Sequence, residues 1–301
     1  MILWGINALN HDSSVAVFQD NVLVKHLLSP IDTELTQDMI DWALELGRPD
    51  KIFWYENPWR KKYRQLRAGQ FADALDLAEL PKIYLAQFGI TDVDIVYGDH
   101  HGSHAAAGYY ASEFDQAVIF VADAIGELDT VSIWHAKGND LKKLYSRRYP
   151  YSLGLFYSAF TKLLGHRPTK DESQITALAQ LGSAYHTHDL VKPYLKYNLH
   201  RGIRYWPYTL PKQDIAAGVQ SVFLEELQNC ITWARRSVQT DCCVFMGGCA
   251  YNAPARKLFK THYKNTYTMY LAGDSGSSIG AVLAKTHTRI PLPDIDSFKP
   301  V

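Results

Sequence analysis

The chain has 301 residues, 47% hydrophobic and 21% charged, enough for one large domain or two fused lobes. Lys+Arg and Asp+Glu number 31 each, so the net charge is zero and a globally basic nucleic-acid binder is not indicated; only local patches remain open. No apolar run approaches a membrane span, Met1 leads directly into a strand-like segment, and the four cysteines (Cys230, Cys242, Cys243, Cys249) form no C-x-x-C pair. These features read as a cytoplasmic chain with reduced thiols and no targeting peptide.

In chain order, Ile2 to Ala8 reads as a strand ending in the polar loop Leu9-Asn10-His11-Asp12. Ser13 to Phe18 alternates as a second strand, Gln19-Asp20-Asn21 is a hairpin turn, and Val22 to Leu27 is a third strand. A helix is expected from near Asp32 and Thr33 to Gly47. Lys51 to Tyr55 is a short strand, a basic helix follows Pro58, and Val93 to Tyr97 runs as a strand into Gly98-Asp99-His100-His101. Ala105 onward is small and helical. The pattern then restarts. Ala117 to Ala122 is a buried-type strand ending in Asp123-Ala124-Ile125-Gly126-Glu127; Thr130 to His135 returns, and after a turn at Gly138-Asn139-Asp140, Leu141 to Tyr145 is a third strand. Helices are expected over roughly 153–164, 171–181 and 212–237. A strand over 243–246, a helix over 252–262, a strand near 267–271 and a last helix complete the chain, with a Pro-rich surface strap after Ile290. Strand, loop, strand, turn, strand thus occurs twice, a weak internal duplication with a cleft expected between the copies.

His100-x-x-x-His104 is the sharpest chemical signal. Spaced by one helical turn, two imidazoles converge on one cation, and Asp123 at the end of the next strand can join them. Two His with carboxylates suit Fe(II), with Zn or Mn as alternatives. A bare i, i+4 pair is more often structural, with His100 and His101 capping a strand. Gly247-Gly248-Cys249-Ala250-Tyr251-Asn252 and Gly273-Asp274-Ser275-Gly276 each open a helix, which favours a phosphate or nucleotide ligand over plain helix starts. His11-Asp12 pairs an imidazole with a carboxylate that can take a proton from a hydroxyl, although a self-bonded turn is the plainer reading. Arg60, Lys61, Lys62, Arg64 and Arg67 form one basic helix face, and Lys142, Lys143, Arg147 and Arg148 another. Such runs are usually solvated, but beside Trp54, Tyr55, Trp59, Tyr205 and Trp206 they can hold a polyanion.

Together these motifs resemble the O-carbamoyltransferases of the nodulation and antibiotic-tailoring type, specifically their amino-terminal domain, which is related to the tRNA threonylcarbamoyladenosine transferase. The resemblance runs through Gly5-Ile6-Asn7 with His11-Asp12-Ser13-Ser14, Tyr55-Glu56-Asn57-Pro58, and His100-His101-Gly102-Ser103-His104-Ala105. It continues through Asp123-Ala124-Ile125-Gly126-Glu127, Ser152-Leu153-Gly154-Leu155-Phe156-Tyr157-Ser158, Gly247-Gly248 with Asn252, and Gly273-Asp274. It implies an α/β, actin-like ATPase (ribonuclease H-like) fold with two duplicated lobes, 1–115 and 116–301, around a central cleft. It also implies a divalent metal, iron foremost, on His100, His104, Asp123 and Asp274. Gly126, Glu127, Gly247, Gly248, Asn252, Gly273 and Ser275 are then expected at the donor or nucleotide site. Members use carbamoyl phosphate and typically convert it with ATP to a carbamoyl-adenylate.

Three departures qualify this. The adenylate-forming second domain of full-length members is expected to be absent. The family's Gly-Glu-x-Lys-x-Met-Gly-Leu-Ala stretch reads Asp171-Glu172-Ser173-Gln174-Ile175-Thr176-Ala177-Leu178-Ala179. The usual Glu-Glu-Arg-Phe is replaced by Lys25-His26-Leu27-Leu28. The expected activity is carbamoyl transfer from carbamoyl phosphate to a hydroxyl, with Asp12 or His11 as base. The ATP requirement is left open by the altered stretch. The preferred acceptor is the hydroxymethyl group of 5-hydroxymethylcytosine in DNA, which would fit a phage-encoded enzyme acting in a host cytoplasm. A sugar or antibiotic hydroxyl is the alternative, and a non-catalytic nucleotide-binding module is the reading from another class. No membrane partner is expected; a homodimer is compatible.

Overall fold

Two apolar runs, one in each half of the chain, become the central strands of two sheets. The computed structural model describes residues 1–29, 31 and 33–297. In the first half, β1 (Ile2–Asn7), β2 (Ser14–Gln19), β3 (Val22–Leu28), β4 (Lys51–Trp54) and β5 (Asp94–Tyr97) form a sheet in the order β3-β2-β1-β4-β5. In the second, β6 (Gln116–Gly126), β7 (Asp129–Lys137), β8 (Asp140–Arg148), β9 (Cys242–Met246) and β10 (Asn265–Tyr267) give β8-β7-β6-β9-β10, the same order. In both sheets the first three strands are an antiparallel meander and the last two add in parallel. Parallel addition needs crossovers, and the intervening helices supply them. The duplication read from the sequence is therefore a duplication of topology.

The first half carries α1 (Gln37–Glu45), α2 (Pro58–Arg67), α3 (Phe71–Leu75), α4 (Pro81–Ala86) and α5 (His100–Ala111). The second carries α6 (Leu153–Leu163), α7 (Glu172–Ala179), α8 (His188–Val191), α9 (Lys212–Ser237), α10 (Ala253–His262) and α11 (Ser277–Thr286). Several boundaries differ from the sequence reading. The first helix starts at Gln37, because Thr36 caps it by accepting from the Met39 amide; Asp32, where a start was expected, lies outside the described residues. Asp99 caps α5 through the Gly102 amide, so that helix begins at His100 and not near Ala105. The last strand is Asn265–Tyr267 rather than 267–271. The short helices α3, α4 and α8 had no sequence signal strong enough to place them. The Pro-rich end does strap the surface: Ile290 and Leu292 donate to the carbonyls of Tyr110 and Ala111.

α5 and α11 occupy equivalent places after the last strand of each sheet, and they pack against each other at the centre. All twelve residues of α5 are buried. Small residues make this approach possible. A Cβ on Gly280 of α11 would lie 1.9 Å from the Ser103 carbonyl oxygen, and one on Gly5 of β1 would lie 1.8 Å from that of Ser278. Since both obstacles are backbone, Gly280→Ala is expected to cost at least the ~1–3 kcal/mol typical of overpacking. Urea titration measures this; an unchanged midpoint would contradict the packing described.

Candidate metal centre and adjoining cavity

The helical periodicity of α5 puts His100 and His104 on one face, one turn apart. Asp123 comes from β6, at the point where its pairing with β7 breaks between Ala122 and Gly126. Asp274 comes from the short turn that leads into α11. The four ligand atoms lie within 4.8 Å of one another, and all four residues are buried. His104 Nε2 is 3.2 Å from Asp123 Oδ2 and 3.1 Å from Asp274 Oδ1. His100 Nε2 is 3.5 Å from Asp123 Oδ2 and 3.4 Å from Asp274 Oδ1. Ligands bonded to one ion at about 2.0–2.2 Å sit about 3.0–3.6 Å from their neighbours, and the four His–Asp distances fall in that range.

The electrostatics fit a dication. Burial alone would strip protons from His100 and His104, yet the carboxylates beside them outweigh it and push both imidazoles up. Burial and mutual repulsion would raise Asp123 and Asp274, yet the imidazoles hold both below the usual carboxylate range. Two buried negative charges thus demand two positive charges, which a divalent ion supplies while leaving the imidazoles neutral. Neither ring nitrogen of His100 makes a hydrogen bond among the described residues.

Outer contacts hold the ligands in place. Asn10 Nδ2 donates to Asp274 Oδ2 at 2.7 Å, and Asn7 Nδ2 donates to the Asp274 carbonyl at 3.0 Å. Glu56 Oε2 is 3.6 Å from His100 Nδ1, and Lys61 lies 3.0 Å from the other oxygen of Glu56. A carboxylate behind a ligating imidazole is a common arrangement at metal centres. His101 points elsewhere: its Nδ1 is 2.7 Å from Ser132 Oγ.

Asp123 also lines a cavity of about 340 Å³ between the halves. Gly248, Asn252 and Gly273, three of the residues assigned to the donor site, line it, and so do His11 and Asp12. The Asp274 carboxylate, 3.7 Å away, outweighs burial and pushes His11 up to about 10. The remaining donor-site expectations fall outside the cavity lining. Gly247 adopts a positive φ of 88° and presses on the Ala122 carbonyl, where a Cβ would collide, so its role is the turn itself. The Ser275 carbonyl accepts from Ser14 and lies 2.9 Å from His26 Nε2. Gly126 packs against the His100 and His101 rings, and Glu127 accepts from the amides of Asn57 and His100. Burial pushes that Glu127 carboxyl up to about 7. Glu172, Ser173 and Thr176 of the altered stretch also line the cavity, as do Tyr157, Ser158 and Lys170, none of which was expected at the donor site. Tyr157 and Ser158 ended a motif quoted only for the resemblance.

The basic face expected on α2 is largely consumed internally. Arg60 lies 3.2 Å from Asp99 and 3.5 Å from Glu127. Lys61 serves Glu56 and the Leu9 carbonyl. Lys62 is buried on the carbonyls of Asp73 and Asp76, and Arg64 donates to Gln70. Of the five, Arg67 alone stays exposed with no partner among the described residues. Likewise Lys143 pairs with Asp99 and Asp129, Arg147 with Glu226, and Arg148 with Asp129. The spacing of cations was legible; the carboxylates that neutralise them are distant in sequence.

Comparison with known proteins agrees with the resemblance. Residues 76–205 match the family model for the carbamoyltransferase N-terminus. An uncharacterized protein of Synechocystis sp. is 27% identical over 94% of this chain and 56% of its own length. Nodulation protein NolO of Bradyrhizobium diazoefficiens is 24% identical over 65% of this chain and 41% of its own length. The chain thus spans about half the length of these relatives. In fold it is similar to full-length HypF, solved with phosphate and nucleotide bound, with a TM-score of 0.55 and 12% identity over 94% of this chain and 46% of that one. The fold is actin-like, and residues 76–205 of the chain are similar to the carbamoyltransferase N-terminus. No helix among the described residues is long and apolar enough to cross a membrane.

His104→Ala is expected to abolish stoichiometric metal, whereas the neighbouring His101→Ala keeps it; elemental analysis of both purified variants decides. Because both ligating imidazoles must shed protons to bind, metal affinity is expected to rise with pH and to fall in acid. Equal metal in the two variants, or a flat pH profile, would contradict the assignment.

Proposed function

We propose that this relative of the carbamoyltransferases is a metal-dependent O-carbamoyltransferase, moving a carbamoyl group from carbamoyl phosphate or a carbamoyl-adenylate to an acceptor hydroxyl. The observation that carries this reading is the buried His100, His104, Asp123, Asp274 cluster, which meets the cavity through Asp123. A divalent ion held there, iron foremost with zinc or manganese as alternatives, would supply a Lewis acid for the poorly electrophilic carbamoyl group and its leaving phosphate.

The chain's own residues account for the rest. Gly248 and Gly273 let the donor approach the backbone closely. Asn252 is held by Gln220, whose Oε1 accepts from it at 2.9 Å, and Tyr157 donates to that same oxygen. The acceptor hydroxyl gives its proton to His11 or Asp12 as its oxygen attacks the carbamoyl carbon and the donor's phosphate departs. The positive charge on His11 comes from Asp274; once that carboxylate is neutralised by a cation, the cause of the rise is removed and the imidazole can accept a proton. Gln174 and Ala177, standing where the family's stretch has a lysine and a glycine, favour direct use of carbamoyl phosphate over a nucleotide-dependent route. Retention of two buried carboxylates, costly without a cation, disfavours a non-catalytic module. The preferred acceptor is a 5-hydroxymethylpyrimidine of DNA, with a sugar or antibiotic hydroxyl as the alternative.

Two assays test this. Metal-loaded protein is expected to carbamoylate an acceptor from carbamoyl phosphate alone, read by mass spectrometry; transfer seen only after ATP is added would overturn the direct route. A combined His11→Ala/Asp12→Asn variant is expected to keep its metal and lose about 10²–10⁴-fold in kcat, the usual worth of a positioned base. Full activity in that variant would remove both residues from the chemistry.

A further inference from the structure

Residues 193–208, with Tyr149 and the C-terminal end of α2 at Ala68, enclose a second groove of about 780 Å³. It shares no lining residue with the cavity beside Asp123. We propose that this groove docks a single-stranded stretch of nucleic acid, holding bases on its tyrosines and phosphates on Arg201 and Arg204. The purpose of such a dock, delivering an acceptor, rests on the transferase reading; the dock itself is read from other residues.

Three observations carry it. The first is aromatic. Tyr205 is 74% exposed and Tyr197 is 58% exposed, an unusual display of ring surface in one groove. The rings beneath pack on one another: Trp206 meets Phe160 at 5.5 Å, Tyr194 at 5.6 Å and Tyr208 at 5.0 Å between centroids. Exposed aromatic faces are platforms on which any base can stack.

The second is charge. Arg201 and Arg204 are exposed, and neither has an ion-pair partner among the described residues. No Asp or Glu lines the groove. This contrasts with α2 and β8, where most cations are bound to carboxylates or carbonyls. In a chain of zero net charge, two unspent guanidiniums between tyrosines are a local complement to an anion. A neutral glycan would leave both unmatched. A duplex presents no free base faces to such a groove, whereas an unstacked strand does.

The third is position. The Tyr149 amide on the groove rim donates to the Leu128 carbonyl at 2.8 Å. The preceding residue, Glu127, accepts from the His100 amide. The rim thus abuts the turn that contacts a metal ligand.

The test is fluorescence anisotropy of a fluorescein-labelled single-stranded oligonucleotide lacking any hydroxymethyl base, titrated with metal-loaded protein at several salt concentrations. Wild-type protein is expected to bind with a negative log–log salt slope. Arg201→Ala/Arg204→Ala is expected to flatten that slope by about 1.4, at about 0.7 per phosphate contact on a single strand. Tyr205→Ala is expected to weaken binding about 5- to 150-fold with the slope unchanged. Thermal melts confirm that these surface variants are folded. Absence of binding, or an unaltered slope in the double arginine variant, overturns the proposal. So does binding of a neutral oligosaccharide that Tyr205→Ala abolishes while the oligonucleotide is ignored. Because the assay reads binding without turnover, a strand that docks on a protein transferring nothing would overturn the transferase reading and leave the groove assignment standing.

Discussion

Asp123 and Asp274 are both buried and face the same pair of imidazoles. Two carboxylates removed from water with no compensating charge would cost several kcal/mol each, more than a domain of this size can readily lose. The chain must therefore bring positive charge to that point, and it has only imidazoles to offer from within. Protonating both rings satisfies the electrostatics but leaves the His100 nitrogens without hydrogen bonds. A divalent ion would supply both charges and take up the Nε2 of His100, whose Nδ1 faces Glu56 at 3.6 Å. Much else in the molecule follows from assembling this cluster. It draws its imidazoles from the first half and its carboxylates from the second, so the cluster is also a joint between them.

That joint needs the halves to approach closely. α5 and α11 are topologically equivalent helices, and they touch where Gly280 meets the Ser103 carbonyl. The ligands sit at the start of α5 and in the turn before α11, so the closeness of the two helices sets the spacing of the cluster. Around it, Glu56, Lys61, Arg60 and Glu127 link α2 to the same point. Charges that look like a surface patch in one dimension are thus struts of the site in three. This is also why a nucleic-acid contact is better sought in the groove at 193–208, where the arginines remain unspent.

The duplicated topology was legible because each half repeats a meander of alternating residues followed by helix-spaced parallel strands. The histidine pair was legible from its spacing. Asp274 could be placed with them only through the family resemblance, since nothing local to a Gly-Asp-Ser turn says that it meets a helix some 170 residues earlier. The partners of Arg60, Lys61 and Lys62 were invisible for the same reason: ion pairing between distant segments is a property of the packed chain. The first turn of α5 is hard to read in the sequence, because the glycine before Asp99 masks the cap that Asp99 provides through the Gly102 amide. Tyr205 and Trp206 stand out in the sequence as aromatics, but their gathering with Tyr149, Tyr197 and Tyr208 is not legible there, because these residues follow neither helical nor strand periodicity.

The most direct test of the account is X-ray absorption at the metal edge on purified protein, joined to anomalous diffraction from a crystal. One divalent ion should sit among His100, His104, Asp123 and Asp274, with nitrogen and oxygen ligands at about 2.0–2.2 Å. An ion bound elsewhere, or a cluster that stays protonated and metal-free in saturating metal, would contradict it.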